Sequence, residues 1–292
     1  ATGSGKSGGI NVLIGNLSAC RDVVIWAVDL KRGMELQPWA SCIDRLATTP
    51  EQARALLRDA VAILEARADH LAATGRRVWE PSPDMPALVI IIDEYAELSD
   101  EAPEATTYTD SIARRGRAVA VQLVAATQRP TQKAMGKGAV RSQMDVRISF
   151  RVRERRDVDL ILGQGMLNAG WQAHTLNAPG KFLLSAPEHD VPRRARAFLL
   201  TDDMVRETAK RHALSRSQLD EISRRAPEEA ETLVTTTQPT EGLREAPAHT
   251  AEPSAEPEPE ETPEATLWAM LKTASPEGIP VPHLMNATGK SR

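Results

Sequence analysis

The hydrophobic and polar positions of the chain alternate between short apolar runs and longer stretches with helical spacing. Each apolar run is continuous and mostly β-branched, as strands buried on both faces of a sheet are. The runs occupy residues 23–28, 88–92, 119–126, 146–150 and 182–184. Because helical stretches separate them, the pattern predicts an α/β domain with a mostly parallel sheet covered on both faces.

The clearest helix is predicted to begin at Thr49, where the residue types form a capping box. Thr49 is the N-cap, Pro50 takes the first helical position and Gln52 the third, and each position favours its residue type. Gly75 is predicted to end the helix, because glycine readily adopts the left-handed conformation found there. The apolar face of this amphipathic helix consists of Leu56, Leu57, Val61, Leu64 and Leu71.

The organisation of the chain changes after the α/β domain, which we assign to residues 1–205. A helix is predicted near residues 203–224, and residues 206–225 are assigned to a helical extension of the domain. Residues 226–264 contain seven Pro, eleven Glu and no aromatic residue. Such a segment cannot bury enough apolar surface to fold, and it is therefore predicted to be a disordered linker.

An apolar pattern resumes in the last segment, residues 265–292. Leu267, Trp268, Met270 and Leu271 have helical spacing. The final seven residues resemble the turn of a helix-turn-helix, in which Ser291 would cap a recognition helix that is cut off. The alternative is a small pair of helices that docks another protein.

Composition and charge narrow the class of protein. Apolar residues make up 41% of the chain, and the two cysteines, Cys20 and Cys42, fit neither a metal site nor a disulfide framework. No run of 18 apolar residues is present, so a membrane span or signal peptide is not predicted within these residues. The net charge of −4 is the sum of two opposite parts, since residues 226–264 carry −10 and the rest of the chain about +6. A basic body with an acidic segment is typical of a protein that handles a polyanion.

The first residues match the end of a phosphate-binding loop, G-x-x-x-x-G-K-[ST]. Glycines let backbone N–H groups turn inward around a phosphate, and the following helix adds its N-terminal dipole. Lys6 is predicted to bridge the β- and γ-phosphates, and the Ser7 hydroxyl to bind Mg²⁺. The loop consists of Thr2, Gly3, Ser4, Gly5, Lys6 and Ser7. The alternative for so short a match is a chance run of Gly and Ser.

A second motif follows the apolar run at 88–92, where Asp93 and Glu94 come directly after the strand. A carboxylate at the C-terminal end of such a strand lies where open sheets bind ligands. Asp93 is predicted to hold Mg²⁺ through water, and Glu94 to act as the general base on the attacking water. Together with the loop, this pair predicts an ATPase.

Further polar and basic residues are candidates for the site and for a polyanion. Gln128 follows the run at 119–126 and is a candidate sensor of the γ-phosphate, with an ordinary polar turn as the alternative. Arginine clusters lie at 114–117, 141–156 and 193–196. Because arginine binds phosphate with two donors, these clusters are candidates for a DNA-facing surface. A solvated face or ion pairing is the alternative for each.

Five motifs appear in an order that resembles the FtsK/SpoIIIE family of DNA-pumping ATPases. The likeness covers residues 1–200, and the helix-turn-helix-like tail is similar to the transfer ATPases of actinobacterial conjugative elements. The motifs are Thr-Gly-Ser-Gly-Lys-Ser at 2–7, Val-Asp-Leu-Lys at 28–31, Val-Ile-Ile-Ile-Asp-Glu-Tyr-Ala-Glu-Leu at 89–98, Arg-Gly-Arg-Ala at 115–118 and Ala-Thr-Gln-Arg-Pro at 126–130.

The resemblance implies a RecA-like motor that binds ATP and Mg²⁺, assembles into a hexameric ring and pumps double-stranded DNA. By position, Lys6, Ser7, Asp93, Glu94 and Gln128 carry over as nucleotide-site residues. In such rings an arginine can reach the γ-phosphate in the neighbouring subunit, and Arg147 matches it, with Arg141, Arg151 and Arg153 close by. The functional role expected is conjugative transfer or the segregation of chromosomes or plasmids. The alternative is a related secretion ATPase that moves proteins.

The resemblance also bears on where the protein works. We interpret the chain as an internal segment of a longer protein, because it begins inside a motif. This segment is expected to be cytoplasmic. Segments outside the chain would supply a membrane anchor and hold the full-length protein at the inner face of the membrane.

Overall fold

The computed structural model describes residues 3–130 and 139–237. The chain divides into two units, Ala1–Pro239 and Thr240–Arg292. Thr2, the predicted terminal module at 265–292 and the part of the predicted linker after residue 237 lie outside the described residues. Among the described helices, none combines the length and apolarity that a bilayer crossing requires.

A parallel sheet forms the centre of the first unit, with the strand order β2-β1-β3-β4. The strands are β1 (Val23–Val28), β2 (Arg45–Ala47), β3 (Ala87–Ile92) and β4 (Val121–Ala125). All six residues of β3 are buried, because it has a strand on each side and helices on both faces. The predicted α/β class and parallel sheet are confirmed.

The helices cover the two faces of this sheet because successive strand residues point in opposite directions. Ile90 and Ile92 belong to one apolar cluster, shared with α2 and α4, whereas Val89 and Ile91 belong to another, shared with α1 and α7. The helices are α1 (Lys6–Leu17), α2 (Pro50–Ala73), α3 (Tyr95–Glu101), α4 (Ala105–Arg115), α5 (Ala139–Gln143), α6 (Asp157–Leu162), α7 (Asp202–Ala213) and α8 (Glu221–Thr237).

Helix α2 has the predicted cap with one change in its partners. The Thr49 side chain accepts a hydrogen bond from the Gln52 backbone N–H at 3.3 Å. The Gln52 side chain reaches back one residue further than in a standard capping box and accepts from Thr48 N at 2.9 Å. Gly75 follows the last turn with a φ of +67°. The predicted start and end of α2 therefore agree with the structure.

A second, antiparallel sheet contains the apolar runs at 146–150 and 182–184, which the sequence did not separate from the parallel sheet. Its strands are β5 (Arg147–Phe150), β6 (Lys181–Ser185) and β7 (Arg193–Arg196), in the order β5-β6-β7. The three strands carry polar or exposed positions along their length, as antiparallel strands with one solvated face do. β7 escaped prediction because three of its four residues are arginine.

The C-terminal part of the described chain corrects the predicted boundary of the linker. Two helices, α7 and α8, replace the one expected near 203–224, and α8 covers residues 226–237 of the predicted linker. The reason is packing, since Ala226 is buried and Ile222 packs with it on the cluster that includes α2. Local composition could not reveal this partner.

Arg67 joins α8 to the rest of the fold from the middle of α2. Its side chain is fully buried, and burial lowers its pKa against the opposing effect of Asp220. The guanidinium lies 4.3 Å from the centre of the Trp79 ring. It donates hydrogen bonds to Ser223 Oγ, Asp220 Oδ2 and the carbonyl oxygens of Pro86, Val119 and Ala120. Every N–H of the guanidinium therefore has a partner.

Candidate active site

The predicted phosphate-binding loop lies directly before α1. Gly3 and Gly5 have φ values of +74° and +104°, a region that glycine adopts without steric cost. Ser4 is buried, and its carbonyl oxygen accepts a hydrogen bond from Gly180 N at 3.0 Å. A Cβ atom on Gly5 would lie 2.5 Å from the same nitrogen. The loop is thus packed against the turn that precedes β6.

The structure brings this loop to the end of β3, although the two are distant in sequence. Lys6 Nζ donates to Asp93 Oδ1 at 2.7 Å and to the Asp93 carbonyl oxygen at 2.5 Å. Asp93 is 1% exposed. A buried carboxylate requires a compensating charge, and Lys6 supplies it here.

The second carboxylate oxygen of Asp93 fits a role in binding a cation. Oδ2 is buried and has no hydrogen-bond partner among the described residues. No group of three or more His, Cys, Asp or Glu that could hold a metal occurs in residues 3–130 and 139–237. Mg²⁺ typically takes one or two protein ligands together with substrate phosphates and water. Ser7, in the first turn of α1, and Asp93 suit that kind of site.

Glu94 is held by the end of the neighbouring strand β4. Its Oε1 accepts from the Thr127 hydroxyl and its Oε2 from the Gln128 backbone N–H at 2.8 Å. The residue is 6% exposed, so these donors fix the direction of its carboxylate. Gln128 contacts Glu94 through its backbone, and this contact leaves the predicted sensing role of its side chain untested. Sequence reasoning missed Thr127.

Lys31 is a further residue of the site that sequence reasoning left without a role. Asp29, buried two residues earlier, accepts from the backbone N–H groups of Lys31, Glu35 and Leu36. This loop directs Lys31 Nζ to 3.6 Å from Asp93 Oδ2. Burial acts to lower the pKa of Lys31, but nearby carboxylates outweigh it and raise the pKa above its ordinary value. These carboxylates belong to Asp93, Glu97, Glu94 and Glu35.

Arg147 is the first residue of β5. Its Nε donates to the Met144 carbonyl oxygen at 2.9 Å and its Nη2 to that of Arg141 at 3.1 Å. Burial and the charge of Arg141 lower its pKa. The guanidinium is therefore held by its own chain, and a role toward a neighbouring subunit stays a prediction.

The arginine clusters differ in their partners. Arg114, Arg115 and Arg117 each lie within 4.0 Å of a carboxylate, that of Asp110, Glu65 or Asp145, which agrees with the ion-pairing alternative. The arginines of β7 are exposed, and no carboxylate of the described residues pairs with them. Of these two groups, the arginines of β7 are the ones whose charge no carboxylate of the described residues balances.

Comparisons with known proteins identify the relatives of the chain. No protein-family model matches it. DNA translocase FtsK of Listeria monocytogenes is 30% identical over 230 residues, which cover 70% of this chain and 29% of that protein. DNA translocase SpoIIIE of Bacillus subtilis is 28% identical and is aligned over 78% of this chain and 31% of its own length. The chain is similar to members of the FtsK/SpoIIIE family and spans about a third of the length of these two relatives. Protein Tra of Streptomyces lividans is 29% identical over 69% of this chain and 35% of its own.

Solved structures similar to this chain confirm its fold. The conjugation coupling protein TcpA of pCW3, determined with ATPγS, gives a TM-score of 0.62 at 22% identity, over 72% of this chain and 62% of its own. The cytoplasmic domain of the type VII secretion ATPase EccC from Thermomonospora curvata gives 0.61 at 22% identity, over 76% and 28%. At this identity the likeness is one of fold.

Proposed function

We propose that the chain is the ATP-hydrolysing motor of a double-stranded DNA translocase that acts in conjugative transfer or in chromosome or plasmid segregation. The observation that carries this proposal is the meeting of Lys6, Asp93 and Glu94 at the C-terminal edge of the parallel sheet. This is the edge where open α/β sheets bind ligands. The names of the relatives, DNA translocase FtsK and DNA translocase SpoIIIE, support DNA as the substrate.

Each residue of the site has a role in this proposal. The loop from Thr2 to Ser7 cradles the phosphates, and Lys6 exchanges Asp93 for the β- and γ-phosphates when ATP binds. Ser7 and Asp93 hold Mg²⁺, which neutralises charge on the phosphate oxygens when bound. Glu94, oriented by Thr127 and Gln128, accepts a proton from the attacking water.

The assembly and location are parts of the same proposal. A hexameric ring would place each nucleotide site at a subunit boundary, where Arg147 of a neighbouring copy would complete it. For that, Arg147 would have to leave the Met144 and Arg141 carbonyl groups. The segment would be cytoplasmic, with any membrane anchor supplied by the full-length protein.

Substitution of Glu94 tests the hydrolytic part of the proposal. In the full-length protein, Glu94→Gln should leave ATP binding intact and lower turnover by roughly 10²- to 10⁴-fold, because the amide cannot accept the proton. Glu101→Gln, on the exposed end of α3, removes the same charge and should retain activity. Turnover by Glu94→Gln at the rate of the control would contradict the role of the base.

A protein-secretion ATPase is the second candidate, favoured by the similarity to EccC. The wild-type rate of hydrolysis should rise when duplex DNA is added if the chain is a DNA motor. Stimulation by a secretion-signal peptide, without stimulation by DNA, would favour the secretion function instead.

A further inference from the structure

A cavity of about 500 Å³ lies on the small antiparallel sheet, outside the nucleotide site described above. β6 and β7 form one wall, and the segment before β6 forms another. Its lining includes Gln172, Asn177, Lys181, Arg194 and Arg196 and contains no acidic residue. The cavity thus presents cations and neutral amides to a ligand.

The pairing of β6 with β7 concentrates these cations against their mutual repulsion. Lys181 is the direct cross-strand partner of Arg196, and like charges in that relation destabilise a sheet. Arg194 lies two residues from Arg196 and therefore on the same face. None of the three pairs with a carboxylate of the described residues. An anionic ligand would remove this unfavourable charge.

Two contacts hold the cations in place around the cavity. Lys181 Nζ donates to Asn177 Oδ1 at 2.8 Å. The Arg194 guanidinium lies 5.8 Å from the centre of the Trp171 ring. Both partners are uncharged, so they orient the cations without neutralising them. This leaves Lys181 and Arg194 free to attract a phosphate.

We infer that this cavity binds backbone phosphates of duplex DNA, an inference that rests on the proposed DNA-motor function. Arg193 is also exposed, on the opposite face of β7, and the outer edge of the strand has no partner among the described strands. Cations on both faces of an open edge suit a polymer of phosphates better than a single small anion.

The position of the cavity links it to the nucleotide loop. Lys181 follows Gly180, whose N–H donates to Ser4 of the loop. A phosphate bound by Lys181 would therefore contact the residue next to Gly180, whose hydrogen bond anchors the loop. DNA bound here would favour one position of that turn, and the loop would respond to it.

A triple variant, Lys181→Gln with Arg194→Gln and Arg196→Gln, tests the inference. The matched control removes three cations from α7: Arg206→Gln, Lys210→Gln and Arg211→Gln. The affinity of each full-length protein for a labelled duplex of mixed sequence is measured over a range of salt concentrations. We expect the cavity variant to bind the duplex roughly tenfold or more weakly. The slope of its log K against log salt concentration should be shallower by up to about 2.7, because each lost phosphate contact removes about 0.9. The α7 control should keep the wild-type slope.

The outcomes separate this inference from the proposed function. The inference is wrong if the wild type binds duplex DNA but the cavity variant keeps the slope of the α7 control. A thermal unfolding transition shows that the variant is folded. If the wild type does not bind duplex DNA, both are wrong. Displacement of the duplex by inorganic phosphate at constant ionic strength would identify a small-anion site and overturn the assignment to DNA. Arg194→Lys with Arg196→Lys keeps the charge and should keep the slope.

Discussion

At the scale of single residues, the site consists of a buried carboxylate between two ammonium groups. Lys6 hydrogen-bonds one oxygen of Asp93, and Lys31 lies near the other. In the proposed function Lys6 would turn to a phosphate, and Lys31 would then stay beside Asp93 and compensate its charge. The loop that carries Lys31 contains Arg32 at a φ of +58°, a conformation that few non-glycine residues adopt.

Removal of the Lys31 charge should weaken nucleotide binding. Lys31→Met would leave several carboxylates unbalanced near the phosphates, so affinity for ATP should fall by roughly three- to tenfold. A fluorescent ATP analogue provides the measurement. Lys31→Arg should restore most of the affinity because it restores the charge. Equal affinities of the wild type and Lys31→Met would exclude this role.

Gly5 provides a test of the phosphate loop at the same scale. Gly5→Ala places a methyl group against Gly180 and requires a left-handed alanine, so the free energy of unfolding should fall by about 1–3 kcal/mol. Gly8→Ala meets nothing within 4 Å and should raise it by up to about 1 kcal/mol through helix propensity. Urea unfolding measures both. The same sign for both changes would contradict the steric account.

At the scale of elements, Arg67 determines whether α8 stays on α2. Arg67→Ala would remove the charge that compensates the Asp220 carboxylate and a donor to several buried carbonyl groups, and should lower the free energy of unfolding by about 3–5 kcal/mol. Arg54→Ala, exposed on the same helix, should change it by less than about 0.5 kcal/mol. Urea midpoints would show the difference, and similar midpoints would contradict the structural role of Arg67.

The elements that the sequence predicted are those whose signals are local. Buried strands such as β3 and the capped helix α2 carry their evidence in consecutive residues. α8 depends on the contacts of Arg67 and Ala226, whereas its Glu-rich composition predicts a disordered segment. β7 depends on pairing with β6, since Arg193–Arg196 has no apolar pattern. Long-range partners decided those elements.

The same limit applies to the site. Lys6, Asp93 and Glu94 were recognisable because each belongs to a motif. The Thr127 contact, the direction of Lys31 and the link between Ser4 and Gly180 join residues 33 to 176 positions apart or depend on loop geometry. No spacing rule in the sequence encodes them.

At the scale of the whole molecule, charge is distributed unevenly, with a Glu-rich segment after a basic body. A protein that binds a polyanion through such a body releases counterions, so its affinity depends steeply on salt. The surface that would carry this dependence includes β7.

The salt dependence gives a prediction for the full-length protein. DNA-stimulated hydrolysis at a fixed, subsaturating DNA concentration should fall by roughly a hundredfold between about 50 and 200 mM salt. Hydrolysis without DNA should change much less over this range. Steady-state rates measured with and without duplex supply the comparison. Parallel salt curves for the two rates would argue against counterion release as the origin.

The hydrogen bond from Gly180 to Ser4 also turns one backbone amide into a natural reporter. Its proton is protected from exchange with solvent only while the phosphate loop stays against the turn before β6. The rate at which deuterium enters at Gly180 therefore records how often the loop separates from the small sheet, without any label on the protein.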